Sequence, residues 1–241
     1  MKITPYPSPN FNIRAYDHID MIILHYTGMP TAEMALKRMT EDVAPRVSAH
    51  YFISRSGQIF GLVPEEKRAW HAGIAYWKGE KDINSRSIGI ELENKGHEWG
   101  YEAFPDAQIE ALIALIKDIK TRHIIPTQNI LAHSDVAPLR KKDPGEKFPW
   151  HRLAEENLIP HIKPQKIQAK GRLYPLPTPE LLREIIPILG DIGYRVDNLR
   201  LFSKHNRAAL NAFQRRFTGL NATREITRIM LHKVRRYYRT H

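Results

Sequence analysis

Ser87-Ile-Gly-Ile-Glu-Leu-Glu93 alternates without a break, with Ile88, Ile90 and Leu92 on one side and Gly89, Glu91 and Glu93 on the other. A period of two belongs to a β-strand with one apolar face, and here it places two carboxylates together on the polar face. Upstream, Met21-Ile-Ile-Leu24 is a strand-forming run that ends in His25-Tyr-Thr-Gly28, where Gly28 and Pro30 break the element. Downstream, Asn129-Ile-Leu-Ala132 is a shorter strand that ends in His133. Both histidines are therefore expected at strand ends. Ser48 to Ser54 and Gln58 to Val63 read as a hairpin turned by Arg55-Ser-Gly57. Thr31 can cap a helix running to about Thr40, with Met34, Leu36 and Met39 as its apolar residues. From Asp106 to Arg122, Ile109, Leu112, Ile113, Ile116 and Ile119 recur every three or four residues, the stripe of an amphipathic helix. A short helix is expected after Trp150. This pattern predicts an α/β fold with a mixed central sheet flanked by helices.

The 241 residues, 42% hydrophobic, suffice for one sizeable core and a small second domain. There is no cysteine, which excludes disulfides, thiolate metal sites and a cysteine nucleophile, and leaves 12 histidines as the natural ligand pool. No apolar run reaches the roughly 18 residues of a membrane span. Met1 to Arg14 lacks a signal-peptide core, so cytoplasmic action is expected, with the periplasm or exterior as the alternative if a leader was removed. Pro160, Pro164, Pro175, Pro177 and Pro179 suggest an extended linker. The expected organisation is a catalytic domain over 1–160, a Pro-rich linker over 161–178, and a three-helix domain over 179–241. The helices of the last would be Glu180–Asp191, Lys204–Phe217 and Thr223–Tyr238. Residues 1–165 carry 21 basic and 21 acidic side chains, and 166–241 carry 16 and 5, so the whole net charge of +11 lies at the C-terminal end. That asymmetry suits an anionic partner, or simply a solvated basic face.

His133 is followed by Ser-Asp-Val-Ala-Pro-Leu-Arg-Lys-Lys-Asp143-Pro-Gly, whose prolines and glycine suggest a fixed loop returning to the sheet edge. A hydrolytic zinc needs three protein ligands and one open position, and two imidazoles with a carboxylate are suitable donors. His25, His133 and Asp143 could meet around one ion, although spacing alone does not separate them from structural residues. Glu91 and Glu93 share a face, and the strand pattern does not choose between them as a general base.

Five motifs occur in order: Ile-Leu-His-Tyr-Thr (23–27), Val-Ser-Ala-His-Tyr-Phe-Ile (47–53), Arg-Ala-Trp-His-Ala-Gly (68–73), Arg-Ser-Ile-Gly-Ile-Glu-Leu-Glu (86–93) behind Asn84, and Ala-His-Ser-Asp-Val-Ala-Pro (132–138) with Lys141 and Asp-Pro-Gly (143–145). Over roughly residues 18–152 the chain thereby resembles the zinc N-acetylmuramoyl-L-alanine amidases, relatives of bacteriophage lysozyme-type amidases and peptidoglycan recognition proteins. The resemblance implies one Zn2+ at a sheet edge on His25, His133 and Asp143, with Glu91 as the catalytic carboxylate and Glu93 left structural. It gives Lys141 an oxyanion-stabilising role and sets His50 and His71 along the substrate cleft, where Trp70 would stack on sugar or pack in the core. Arg140 and Lys142 are expected to be merely solvated. The implied reaction is hydrolysis of the amide between N-acetylmuramic acid, or its anhydro form, and L-alanine, with intact wall or soluble muropeptide as substrate. The presence of all three ligands favours an enzyme over a non-catalytic peptidoglycan receptor, the alternative reading. Leu189-Gly-x-x-Gly-Tyr194 and Ala209-x-x-x-Phe-Gln214 resemble the small three-helix peptidoglycan-binding domains, with Ala209, Phe213 and Phe217 as a core stripe. The very basic segment from Arg224 to Arg239 departs from that pattern. No nucleic-acid partner is expected, although the basic end leaves nucleic-acid binding as a third reading, and the chain is expected to be a monomer.

Overall fold

The computed structural model describes residues 1–160, 178–218 and 234–237. The strands are β1 (Ile3–Pro5), β2 (Phe11–Ile13), β3 (Met21–Tyr26), β4 (Tyr51–Ile53), β5 (Ile59–Gly61), β6 (Lys67–Ala69), β7 (Ser87–Leu92) and β8 (Ile130–Ala132). The helices are α1 (Ala32–Thr40), α2 (Ile83–Arg86), α3 (Gly96–Trp99), α4 (Asp106–Arg122), α5 (His133–Val136), α6 (Trp150–Glu155), α7 (Pro179–Ile192) and α8 (Lys204–Thr218). Six strands pair in the order β1-β5-β4-β7-β3-β8, and β2 and β6 form a separate antiparallel pair. Within the larger sheet only the β4–β5 hairpin is antiparallel. The expected mixed central sheet with flanking helices is therefore present.

The centre of the sheet is covered on both sides. Ile22 pairs with Ile88 and Leu24 with Ile90, and these residues face the α4 stripe of Ile109, Leu112 and Ile116 and Leu153 of α6. The opposite face, Met21 and Ile23 with Leu131 of β8, packs on Trp77, Ile83 and Val136. The same apolar cluster continues into Leu182, Ile185 and Leu189 of α7 and Ala209 and Phe213 of α8. A continuous apolar run such as Met21–Leu24 is what a parallel strand buried on both faces requires. Fully burying one such side chain contributes about 1.5–3 kcal/mol, so losing the C-terminal helices would uncover a substantial part of the sheet's support.

The boundaries of α4 match the sequence reading, and Thr31 caps α1 by accepting from the Met34 N–H at 3.2 Å. The hairpin strands are shorter than expected, Tyr51–Ile53 and Ile59–Gly61. Strands β1, β2 and β6 were not foreseen, because three residues such as Lys-Arg-Ala carry no usable period. The expected linker lies outside the described residues except for Thr178, which caps α7. Most of the expected third C-terminal helix also lies outside them, but residues 234–237 are helical.

Candidate metal centre and cleft

On the face that carries Met21, Ile23 and Leu131, the side chains change from apolar to polar at the carboxyl ends of three parallel strands. His25 in β3 and Glu91 in β7 are register partners, and His133 follows β8 directly as the first residue of α5. Ligand sites of open α/β sheets form at this end of the strands. His25 Nδ1 lies 2.9 Å from His133 Nδ1, and both lie close to Asp143 Oδ2, at 3.1 and 2.9 Å respectively. All three residues are buried, and their ligand atoms lie within 4.8 Å of one another.

The far nitrogens of the two rings are already engaged. His133 Nε2 donates to the Ala72 carbonyl at 3.1 Å. His25 Nε2 faces His71 Nδ1 at 3.0 Å, His71 Nε2 faces Ser87 Oγ at 3.2 Å, and Ser87 Oγ donates to the Ile83 carbonyl at 2.6 Å. With the protons assigned along this relay, both Nδ1 atoms are bare and turn toward Asp143. Such outer hydrogen bonds set the tautomer and orientation of metal-binding histidines. Burial, together with the nearby His133, lowers the His25 pKa to about 4. Burial alone would raise the Asp143 carboxyl; a proton on either facing Nδ1 would instead hold it well below the usual carboxylate range, so in the absence of a cation the three groups compete for a proton. Two neutral imidazole nitrogens and a carboxylate converging on one point fit a zinc ion with a further position open toward solvent.

That open side is a cleft of about 370 Å³ whose lining includes Trp70, His71, Glu91, Arg140 and Lys141. Glu91 Oε1 stands 4.0 Å from His25 Nδ1, its side chain only 17% exposed, and its Oε2 is buried with no hydrogen-bond partner among the described residues. Burial, assisted by Asp143, raises the Glu91 pKa well above the ordinary value, and Lys141 opposes the rise. A carboxyl so placed is suited to accept and return a proton.

The structure thus lines one cleft with His133, Asp143, Glu91, Lys141, Trp70 and His71, and buries His25 against His133 and Asp143 beside it. His50 is a correction. It is fully buried outside the cleft lining, with Nδ1 accepting from the Gly89 N–H at 2.9 Å and Nε2 near the Lys67 carbonyl and Arg14 Nη2. Its ring is consumed in bracing β7. Glu93 accepts from the Arg55 N–H at 2.8 Å, a structural bond. Arg140 is also a correction, since its guanidinium donates to the carbonyls of Ala72 and Ile74 at 2.9 and 2.6 Å. It therefore shares the Ala72 carbonyl with His133. Gly89, given no role in the sequence reading beyond its place on the polar side of the strand, is required here, because a Cβ would come within 2.4 Å of the His71 ring. Asn84 Oδ1 accepts from the His71 and Ala72 N–H groups at 3.2 and 2.8 Å and fixes the segment that receives both histidines.

A family model described as N-acetylmuramoyl-L-alanine amidase matches residues 15–146. The N-acetylmuramoyl-L-alanine amidase AmiD of Escherichia coli (strain K12) is 35% identical over 215 residues, covering 84% of this chain and 76% of AmiD. The 1,6-anhydro-N-acetylmuramyl-L-alanine amidase AmpD of Citrobacter freundii is 36% identical over 164 residues, 61% of this chain and 86% of AmpD. The solved complex of E. coli AmiD with anhydro-N-acetylmuramic acid-L-Ala-D-γ-Glu-L-Lys superposes with a TM-score of 0.78 at 33% identity, covering 92% of this chain and 89% of that one. Among the described residues, no helix is long and apolar enough to cross a membrane.

Proposed function

Because the chain belongs to the N-acetylmuramoyl-L-alanine amidase family, we propose that it hydrolyses the amide between anhydro-N-acetylmuramic acid and L-alanine in muropeptides, using one zinc ion held by His25, His133 and Asp143. The observation that carries this reading is the convergence of His25 Nδ1, His133 Nδ1 and Asp143 Oδ2 beside Glu91. Bound there, zinc would supply Lewis-acid polarisation of the scissile carbonyl and acidify a water molecule. Glu91 takes the proton of the attacking water as its oxygen adds to the carbonyl carbon. The same carboxyl then returns the proton to the alanine nitrogen as the C–N bond breaks, leaving a lactyl carboxylate and a free amine. Lys141 faces the cleft and offsets the negative charge that grows on the carbonyl oxygen. Trp70, held by a 3.0 Å bond from Nε1 to Asn12 Oδ1, offers an aromatic wall to the sugar. The anhydro substrate is preferred in this reading because AmiD was solved with one. We assign residues 1–160 to the catalytic domain and 179–241 to a peptidoglycan-binding-like domain.

The test is to incubate the protein, depleted of metal and then reloaded with one equivalent of zinc, with an anhydro-muropeptide and with intact sacculi. Zinc-dependent release of peptide with a free alanine amine, faster on the soluble substrate, is expected. Full turnover by the metal-depleted protein would overturn the zinc reading, and faster cleavage of sacculi would overturn the substrate preference.

A further inference from the structure

We propose that the C-terminal helices act on the metal centre as a positioning element, with Arg216 and Tyr194 holding Asp135 and, through it, the donors His133 and Asp143. The inference rests on the metal site proposed above. Asp135 is wholly buried in α5, two residues after His133. Its Oδ2 accepts from the Ala132 N–H at 2.9 Å and from Arg216 Nη1, and its Oδ1 accepts from the Tyr194 hydroxyl at 2.5 Å. The second Arg216 amine donates to the Ile130 carbonyl at 2.8 Å, and the guanidinium lies 4.6 Å from the Trp150 ring centroid. Two residues of the C-terminal segment therefore grip the strand and turn that lead into His133.

The turn needs an external hold. A helix of one turn is unstable by itself, since nucleation costs more than its few bonds return. Helix α5 spans only His133–Val136 and is closed at its end by the Ala137 N–H donating to the His133 carbonyl at 2.9 Å. Its Ser134 N–H also donates to the Asp143 carbonyl at 3.0 Å, so a rotation of α5 carries both donors with it. Attachment of the C-terminal helices does not require an ion pair, because their apolar faces already pack on Met21, Ile23 and Leu131. A buried ion pair carries a desolvation cost that often cancels its attraction. What the pair supplies here is a fixed orientation of Asp135.

The experiment uses full-length Arg216→Met, Arg216→Lys, Tyr194→Phe and Arg235→Ala variants. Zinc affinity is measured by chelator competition, and ligand geometry by the visible spectrum of the Co2+-substituted proteins. Arg216→Met is expected to bind zinc about 10- to 100-fold more weakly with an altered cobalt spectrum, and Arg216→Lys to recover part of both. Tyr194→Phe should shift in the same direction by less. Arg235→Ala, which breaks only the exposed pair with Glu184, should match wild type in both readouts. Wild-type affinity and spectrum in both Arg216→Met and Tyr194→Phe would overturn the proposal. If Arg216→Met fails to fold, Tyr194→Phe decides, since it removes one hydroxyl. Wild-type protein that takes up no zinc would overturn the metal reading first, which separates that failure from this one.

Discussion

Two buried polar clusters flank the one-turn helix α5, and they are built in opposite ways. Toward the cleft, His25, His133 and Asp143 turn three acceptor atoms on one another and direct their donors outward to Ala72 and His71. Toward the C-terminal helices, Asp135 meets a guanidinium and a phenol, so its charge is matched inside the protein. In the proposed reading the first cluster would be completed by a cation from outside, whereas the Asp135 carboxylate of the second already meets its counter-charge in Arg216. Internal charge balance, more than burial, separates a binding site from a strut.

The largest effect should come from unbalancing the first cluster. His133→Ala or Asp143→Ala is expected to abolish stoichiometric zinc binding and turnover together, as read by metal analysis and muropeptide cleavage. Normal metal content with normal turnover in either variant would remove the distinction between the two clusters. Glu91→Gln should sharpen it, because Glu91 faces the same point without being a donor to it. Zinc content should stay stoichiometric while kcat falls about 10²- to 10⁴-fold. If zinc were lost with turnover, Glu91 would belong to the donor set.

The first cluster was legible in the sequence and the second was not, for physical reasons. Apolar runs place His25 and His133 at strand ends and put Glu91 with Glu93 on one polar face, but the choice of these residues as ligands and base came from the family resemblance and not from the pattern. Asp143 is fixed by a loop rich in proline and glycine close behind His133. The partners of Asp135, in contrast, stand 59 and 81 positions away, and a side-chain bond between distant segments leaves no period to read. Arg140 was missed similarly, since its acceptors are backbone carbonyls and any sequence supplies those. The sequence also could not tell His50 from His71. Both are motif histidines, and their difference arises at Gly89, whose N–H binds one ring and whose missing side chain admits the other.

That glycine provides an intermediate test. Gly89→Ala would drive a methyl group into the His71 ring, which must move and release His25 Nε2. The donors themselves remain, so zinc affinity should fall about 10- to 100-fold without being abolished, measured again by chelator competition. Unchanged affinity would mean that the relay through His71 does not orient His25. Complete loss would mean that β7 itself had shifted, which a comparison of melting curves without metal would reveal.

The smallest effect should come from an ion pair that looks equivalent on paper. Arg235 and Glu184 pair within the C-terminal helices, as Arg216 pairs across to Asp135, but their side chains are 49% and 42% exposed against 3% and 0%. Water already solvates the exposed pair, so Arg235→Ala should cost about 0–1 kcal/mol in denaturant melts of the metal-free chain, and ~0.5 M salt should erase most of that. Arg216→Met leaves a carboxylate buried without its counter-charge and should cost about 3–5 kcal/mol, with little response to salt because the site is shielded from ions. Comparable costs for the two variants would mean that only the net charge of the C-terminal segment matters, and that Asp135 has no special need of Arg216. A large, salt-insensitive difference would show that Arg216 acts through the buried charge it closes on α5, the turn that begins with His133.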